Sequence, residues 1–180
     1  TLARVKALVV GDPLDPATDI GAMITAEHRD RVAGFLRSGV EGGARILHGG
    51  TALDDNPGFF LRPTVFDGMT PQMRIAREEI FGPVMGLMVV DSDEDAFGIA
   101  VDTDFGLHAS VFTQNIDQAL RFARALPVGT VSVNSFSEGS IATPFGGYRR
   151  SGSLSRDNGI EALAQYQQTK TIWIGLGSQP

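Results

Sequence analysis

The 180-residue sequence contains no cysteine. Disulfide bonds, thiolate metal sites and thiol nucleophiles are therefore excluded for this chain. A lack of cysteine suits a cytoplasmic protein, because disulfides are rare in that compartment, and a cytoplasmic location is what we expect. The three histidines, His28, His48 and His108, share no spacing that is typical of a metal site. We therefore predict no bound metal.

The sequence also lacks long apolar runs and an excess of positive charge. No run approaches the ~18–20 apolar residues that span a bilayer, and no charged-then-apolar leader opens the chain. Acids outnumber bases by 21 to 15, and the net charge of −6 argues against a phosphate-backbone partner. We expect neither a membrane nor a nucleic acid as partner. The opening at Thr1, without a start methionine, leads us to expect further sequence upstream.

Helical periodicity is present in the first third of the chain. A helix is predicted to begin at about Thr25, a good N-cap residue, and to end at Gly42 and the glycine after it. A short strand is predicted at 44–48, and 58–66 is predicted to be extended, with Pro63 at an edge or bend. The apolar face of the helix is expected to comprise Val32, Phe35, Leu36 and Val40.

The clearest pattern, strand-helix-strand-helix-strand, lies between residues 84 and 134. The predicted strands are 84–90, 110–113 and 128–133. The first is continuously apolar, as is typical of a strand buried on both faces. Ser92 and Asn115 are predicted to cap the two helices, with Gln118 placed as in a capping box. Short helical crossovers favour parallel strands, so we predict an α/β fold with a mostly parallel sheet and flanking helices.

The segment after the third strand combines a long loop with two weaker elements. The loop, 135–154, follows the carboxyl end of a predicted parallel strand, where ligand-binding loops of open α/β sheets lie. A helix is predicted at 156–164. Residues 169–174 alternate as a strand does, and they have no hairpin partner nearby. The partner of this tail strand is therefore expected to be distant in sequence or on another chain.

Three ordered motifs resemble those of the aldehyde dehydrogenases. Residues 78–84 read EEIFGPV and residues 104–111 read DFGLHASV. Asn134 is then followed by PFGGY at 144–148 and by Ser-Gly at 151–152. Each motif alone is weak, but their order and spacing agree across nearly the whole chain. The sequence therefore resembles the C-terminal part of an NAD(P)-dependent aldehyde dehydrogenase.

This resemblance implies an oxidoreductase that converts an aldehyde to the carboxylic acid. In the family, a cysteine thiolate attacks the aldehyde, hydride passes to NAD or NADP, and a glutamate-activated water releases the acid. The cysteine, that glutamate and the dinucleotide-binding domain all precede the part that this chain matches. We therefore expect the isolated chain to be inactive. The resemblance assigns 1–164 to the catalytic domain, and 165–180 to a tail whose strand builds a homo-oligomer.

The resemblance also assigns candidate binding residues, though no catalytic residue. Glu79 matches the glutamate that binds the nicotinamide ribose hydroxyls, and a carboxylate suits this task because it accepts two hydrogen bonds. Phe81 matches the aromatic residue that packs beside the nicotinamide. The expected lining of the aldehyde pocket is Asn134, Phe136, Ser137, Glu138 and Phe145.

The substrate class is indicated by two further segments. Residues 136–145, FSEGSIATPF, and 170–174, KTIWI, resemble the γ-glutamyl-γ-aminobutyraldehyde dehydrogenase subgroup of polyamine catabolism. Betaine-aldehyde and other aminoaldehyde dehydrogenases are close competitors. Arg149 departs from the family pattern, which has lysine there.

The alternative function is a free-standing, non-catalytic oligomerisation module derived from a dehydrogenase. An unrelated hydrolase lacks support because no G-x-S-x-G motif is present.

Each candidate residue also has a structural interpretation. Residues 78–79 can be solvated acids, and Phe81 and Phe145 can be core aromatics. Asn134 can satisfy backbone groups where the chain leaves a strand. The acidic run at 91–95 resembles a calcium loop only weakly and is better interpreted as the acidic N-terminus of a helix.

Overall fold

The structure, a computed structural model, describes residues 1–50, 58–136, 139–153 and 155–177. The chain divides into two units, Thr1–Asp91 and Ser92–Pro180. Two of the three strand pairings are parallel, which confirms the predicted α/β class with a mostly parallel arrangement. No helix in the described part of the chain combines the length and apolar character that a membrane span requires.

The first unit contains a three-stranded sheet. Its elements are α1 (Leu2–Lys6), α2 (Ala26–Glu41), β1 (Arg45–His48), β2 (Thr64–Asp67), α3 (Arg74–Arg77) and β3 (Val84–Gly86). The strand order is β1-β2-β3, with β1 antiparallel and β3 parallel to the central strand. The core of the unit is formed by Phe35, Leu36, Ala44, Phe66, Met69 and Ile75.

Helix α2 begins where the sequence predicts. The Oγ1 atom of Thr25 accepts a hydrogen bond from the backbone N–H of His28 at 3.1 Å, which satisfies one free donor of the first turn. Three of the four predicted face residues, at 32, 35 and 36, are buried. The fourth, Val40, is wrongly predicted, because 51% of its surface is exposed at the last turn. The helix ends at Gly42, as predicted.

One predicted strand of this unit is longer than that in the structure, and one segment predicted to be extended is a strand only in part. The extended segment at 58–66 forms a strand only from Thr64, immediately after Pro63. Strand β3 covers Val84–Gly86 instead of 84–90, although the backbone N–H of Leu87 still donates to Phe66 O at 3.0 Å. Burial of this strand on both faces is also wrong for this chain, since Val89 is 88% exposed.

The second unit contains the predicted parallel pair. Its elements are α4 (Asp93–Val101), β4 (His108–Val111), α5 (Ile116–Ala125) and β5 (Thr130–Val133), followed by 3-10 turns at Arg149–Ser151 and Ile160–Tyr166. Strands β4 and β5 run parallel from the pair His108↔Thr130 to the pair Val111↔Val133, with α5 as the crossover. Each strand lies two residues away from its predicted start.

Both helix caps of the second unit are confirmed. Ser92 Oγ accepts from Asp95 N at 3.0 Å, and Asn115 Oδ1 accepts from the N–H groups of residues 117 and 118 at 3.0 and 3.2 Å. The predicted capping box is wrong, because the Gln118 amide does not return to the cap. It donates instead to the carboxylate of Asp93, at 2.8 and 2.7 Å. Gln118 thereby links the start of α5 to the start of α4.

The C-terminal elements differ from the prediction. The helix expected at 156–164 is a 3-10 helix that begins at Ile160, because residue 157 pairs with Phe145 in an isolated bridge and holds the preceding backbone extended. The tail at 167–177 forms neither helix nor strand pairing within this chain, and Trp173 is 92% exposed. The tail strand therefore stays a prediction that depends on a partner.

Candidate functional site

The first candidate segment, 78–82, follows α3 and begins with two glutamates that have different surroundings. Glu78 accepts two hydrogen bonds from the Arg74 guanidinium, at 2.8 and 3.2 Å, in an i,i+4 ion pair. This arginine holds the pKa of the Glu78 carboxyl below its ordinary value of 4.5. The Arg74 side chain also lies over the buried Phe35 ring, 4.2 Å from its centroid. Glu78 is therefore engaged in the protein itself.

Glu79 is anchored through its backbone and leaves its side chain available. The Arg31 guanidinium, on α2, donates to Glu79 O at 2.9 Å and to Ile80 O at 3.1 Å. Arg31 in turn lies 5.1 Å from the centroid of the Phe35 ring. Within the part of the chain that the structure describes, the exposed Glu79 carboxylate has no hydrogen-bond or ion-pair partner. Such a carboxylate has both oxygens available for the hydroxyl groups of a ligand.

Phe81 is held in a left-handed backbone conformation with its ring in solvent. Its φ angle is 53°, which is uncommon for a residue other than glycine, and the residue is 67% exposed. The core interpretation of Phe81 is therefore wrong for this chain. The next residue, Gly82, packs tightly on α2, because a Cβ there would lie 2.7 Å from Val32 Cγ1. These contacts fix the backbone on both sides of the exposed ring.

The second group of candidates follows β5 in the second unit. Asn134 has a φ angle of 54°. Its Oδ1 atom accepts a hydrogen bond from Thr113 N and its Nδ2 atom donates one to Thr113 O, both at 2.9 Å. This confirms the structural interpretation of Asn134, which closes the end of β5 onto the end of β4. Its predicted role in an aldehyde pocket stays a prediction.

An open hollow lies at the carboxyl ends of β4 and β5. It encloses about 530 Å³ and is lined by Phe112, Thr113, Gln114, Ile116, Ala119, Val133 and Asn134. Ligands of open parallel sheets bind at this end of the strands. Asn134 thus lies where the sheet topology favours a binding site, with its amide already engaged.

Phe136 and Phe145 differ in exposure and in the contacts that hold them. Phe136 is 81% exposed, and its ring meets the His108 imidazole edge-on at 5.3 Å between centroids. Phe145 is half-buried, and its backbone forms a double hydrogen bond with Asp157 at 2.6 and 2.7 Å. The predicted pocket residues Ser137 and Glu138 lie outside the described residues.

A metal site finds no support in the described ranges of the chain, where no group of three or more histidine or acidic residues is arranged to hold an ion. The acidic run at 91–95 forms the N-terminus of α4, as the preferred interpretation predicts. Asp93 and Glu94 both pair with Arg121, and Ser92 caps the helix. Arg121 thereby occupies the Asp93 carboxylate, one of the ligands that a calcium loop would need.

Sequence reasoning missed two anchoring residues, Arg31 and Asp157. Arg31 lies one position before the buried face of α2 and looks like an ordinary solvent-exposed cation in the sequence. Asp157 acts through its backbone, which carries no signal of side-chain type. Neither contact is marked by a short-range sequence pattern. The contact of Asp157 joins residues 12 apart in sequence, and that of Arg31 with Ile80 joins residues 49 apart.

Comparison with known proteins identifies a family. The model of the aldehyde dehydrogenase family matches residues 1–172. The chain belongs to the aldehyde dehydrogenase family. A betaine aldehyde dehydrogenase of Mesorhizobium japonicum is 40% identical over 177 residues, which make up 97% of this chain and 36% of that protein. Human retinaldehyde dehydrogenase 3 is 44% identical over 174 residues, or 97% of this chain and 34% of that protein.

Solved structures of aldehyde dehydrogenases share the fold. An NAD-dependent aldehyde dehydrogenase of Sinorhizobium meliloti superposes with a TM-score of 0.91 at 38% identity, over 99% of this chain and 35% of that chain. A Mycobacterium tuberculosis aldehyde dehydrogenase, solved in complex with NAD+, gives a TM-score of 0.90 at 38% identity, over 99% and 37%. This aldehyde dehydrogenase chain thus spans about a third of the length of the relatives that it matches.

Proposed function

We propose that this chain is the C-terminal portion of the catalytic domain of an NAD(P)-dependent aldehyde dehydrogenase of the cytoplasm. In this proposal Glu79 and Phe81 contact the nicotinamide end of the cofactor. Asn134, Phe136 and Phe145 contribute to the aldehyde pocket, as do the neighbouring residues 137–138. The family membership and the coverage of nearly the whole chain support the proposal.

The observation that carries the cofactor role is the contrast between the two adjacent glutamates. The Glu78 carboxylate is occupied by Arg74, while the Glu79 carboxylate is exposed and without a partner in the described chain. Arg31 fixes the Glu79 backbone, so binding a diol has only the side chain left to order. A ribose, with two vicinal hydroxyls, matches the acceptors that such a carboxylate offers.

The chemistry is divided between this chain and the rest of the enzyme. A nicotinamide cofactor, held in part by Glu79 and Phe81, would supply the hydride acceptor for the reaction. The residues of this chain orient the cofactor and the aldehyde and keep water from the pocket. Because the 180 residues contain no cysteine, we propose that the thiolate nucleophile is supplied from outside them, and that the isolated chain is inactive.

The cofactor role is tested by exchanging each glutamate for glutamine in the dehydrogenase that contains this chain. Glu79→Gln removes the charge of a hydrogen-bond acceptor, and a charge-assisted bond contributes about 1.5–3 kcal/mol. We expect a rise in KM for NAD of about tenfold or more. Glu78→Gln is the matched control, since it removes the same charge one residue away, and its KM for NAD should stay within about twofold. Equal effects of the two changes would contradict the assignment of Glu79.

The division of the reaction is tested by following aldehyde-dependent NADH formation. The chain is measured alone and then mixed with the upstream portion of the same dehydrogenase. No activity alone, with activity on mixing, is the expected result. Activity of the chain alone would contradict the proposal, because a sequence without cysteine would then need another nucleophile.

For the substrate, we propose an aminoaldehyde, on the resemblance of residues 136–145 and 170–174 to the γ-glutamyl-γ-aminobutyraldehyde dehydrogenase subgroup. The named relatives act on betaine aldehyde and on retinaldehyde, so both compounds belong in the comparison. The test is kcat/KM for γ-glutamyl-γ-aminobutyraldehyde, betaine aldehyde and retinaldehyde with NAD and with NADP. A preference for retinaldehyde would contradict the aminoaldehyde proposal.

A non-catalytic assembly module is the second candidate, and the exposed tail favours it. Four large apolar side chains of the tail, at residues 172, 173, 174 and 176, are 73 to 92% exposed. Exposed apolar surface of this kind is typical of an interface. The size of the chain in solution is therefore compared before and after deletion of residues 169–180. If assembly is unchanged by the deletion, the module proposal and the homo-oligomer through the tail strand both fail.

A further inference from the structure

The loop that carries Phe145 is attached to the segment after α4 by an antiparallel set of backbone hydrogen bonds. Tyr148 N donates to Gly106 O at 2.8 Å, and Arg150 N donates to Asp104 O at 3.0 Å. Gly106 N donates in return to Ser151 Oγ at 3.1 Å. Two of the family-like motifs, at 104–111 and 144–148, are therefore docked directly on each other.

Arg149 extends this attachment to the end of helix α4. Its Nη1 atom donates to Val101 O at 2.8 Å and also to Thr103 O. Val101 is the last residue of α4, and the last carbonyls of a helix lack partners within the helix and carry partial negative charge. A guanidinium is the side chain best suited to this position, because its charge is permanent and its donors are fixed in a plane.

The backbone of Arg149 adopts a disfavoured conformation, whose energetic cost other contacts must offset. Its φ angle is 52°, in the left-handed region that disfavours residues other than glycine. Such conformations persist where the surroundings over-determine them. The backbone bonds of Tyr148 and Arg150 supply part of that constraint, and the two carbonyl contacts of the Arg149 guanidinium add to it.

Phe145 lies between this attachment and a second one. On one side its backbone forms the double hydrogen bond with Asp157. On the other side, three residues along the chain, Tyr148 is bound to Gly106. The intervening loop passes close to another segment, because a Cβ on Gly129 would lie 2.8 Å from the carbonyl carbon of Gly146 and would also clash with its oxygen. Release of one attachment therefore frees the Phe145 backbone on that side.

We propose that Arg149 is a positioning residue that fixes Phe145 by anchoring its loop to the C-terminal end of α4. The role of Phe145 in the aldehyde pocket rests on the proposed function. Arg149 itself touches neither aldehyde nor cofactor in this proposal. It affects the reaction only by setting the position of the Phe145 ring.

The anchor is tested first by hydrogen exchange in the 180-residue chain. Arg149→Ala should increase the exchange rate of the amides of Tyr148 and Arg150 about tenfold, because the bonds that hold them open together. Arg149→Lys, which keeps one cationic donor, should restore most of the protection. Arg150→Ala is the matched control. It removes the same charge and one exposed ion pair, 3.4 Å from Asp104, and should leave both amides protected.

The second test measures steady-state kinetics in the dehydrogenase that contains this chain, with propanal as the probe. Arg149→Ala should raise KM for propanal on the order of tenfold while kcat and KM for NAD change by less than about twofold. Arg149→Lys should recover a KM near that of the wild type, and Arg150→Ala should resemble the wild type.

The outcomes separate this proposal from the proposed function. Unchanged exchange of both amides in Arg149→Ala overturns the anchor. Faster exchange with an unchanged KM for propanal overturns the positioning of Phe145. A wild-type enzyme that does not oxidise any aldehyde overturns the proposed function, and the exchange rates then still decide whether Arg149 anchors the loop.

Discussion

We expect glycine-to-alanine exchange to change stability in opposite directions at two positions of helix α2. At Gly34 the new Cβ has one neighbour within 4 Å, the Nη2 atom of the exposed Arg37 at 3.7 Å. At Gly39 it would lie 2.7 Å from Ile75 Cδ1 and 3.0 Å from Phe66 Cζ. Both of these neighbours belong to the core, and Phe66 is fully buried.

The magnitudes follow from two opposing effects. Alanine in a helix interior is about 0.5–1 kcal/mol more favourable than glycine, and this gain applies at both positions. At Gly39 the contacts fall below the ordinary carbon–carbon separation of about 3.5–4.0 Å, and overpacking of this kind costs about 1–3 kcal/mol. We therefore expect Gly34→Ala to stabilise by about 0.5–1 kcal/mol and Gly39→Ala to destabilise by up to about 2.5 kcal/mol.

Urea unfolding of the whole chain, followed by far-ultraviolet circular dichroism, measures both changes. The midpoint should rise for Gly34→Ala and fall for Gly39→Ala, with equal slopes, because the surface exposed on unfolding is nearly the same. A higher midpoint for Gly39→Ala than for the unmodified chain would refute the reasoning, since α2 would then not pack on Phe66 and Ile75 as the structure has it.

Three further predictions concern pH, a helix cap and a strand end. Arg74 lowers the pKa of Glu78 in the folded state, so the contribution of Glu78 to stability is present above pH 4.5 and is lost as the pH falls through the lowered pKa. The free energy of unfolding should therefore fall more steeply with acidification in the wild type than in Glu78→Gln. Asn115→Ala removes an acceptor of two backbone N–H groups and should cost about 1–2 kcal/mol in urea unfolding, more than Ser92→Ala, whose side chain accepts one. Asn134→Ala should cost about 1 kcal/mol more than Asn134→Gly, because both lose the bonds to Thr113 but only alanine retains the strain of the positive φ. Equal costs of the two Asn134 variants in urea unfolding would contradict that account.

Helix starts could be predicted from the sequence because their signals are local. Thr25, Ser92 and Asn115 each accept a hydrogen bond from an N–H within three residues, and all three caps are confirmed. The parallel pair β4-β5 was also predictable, because a helix between two strands is the usual crossover of a parallel pair and its ends are marked by Asn115 and Pro127.

Strand lengths and long-range anchors could not be predicted in the same way. The apolar run at 84–90 describes the environment that its side chains favour, whereas the length of β3 depends on where β2 ends. Arg31 and Arg149 bind carbonyl groups 46 to 49 residues away. A carbonyl acceptor has no side-chain identity, so neither contact leaves a pattern in the sequence.

The two glutamates at the start of the 78–84 motif have the same side chain but different surroundings in the structure. By residue type they are equivalent, and only the family resemblance selects the second as the ligand of a ribose. The structure distinguishes them independently, because Arg74 lies four residues before Glu78 and one helical turn brings the pair together. Glu79 cannot share that partner, and its backbone is held by Arg31 instead. The proposed function requires an unpaired carboxylate at position 79. A carboxylate already bound to a guanidinium, as at position 78, would have to give up that partner before it could bind a ligand.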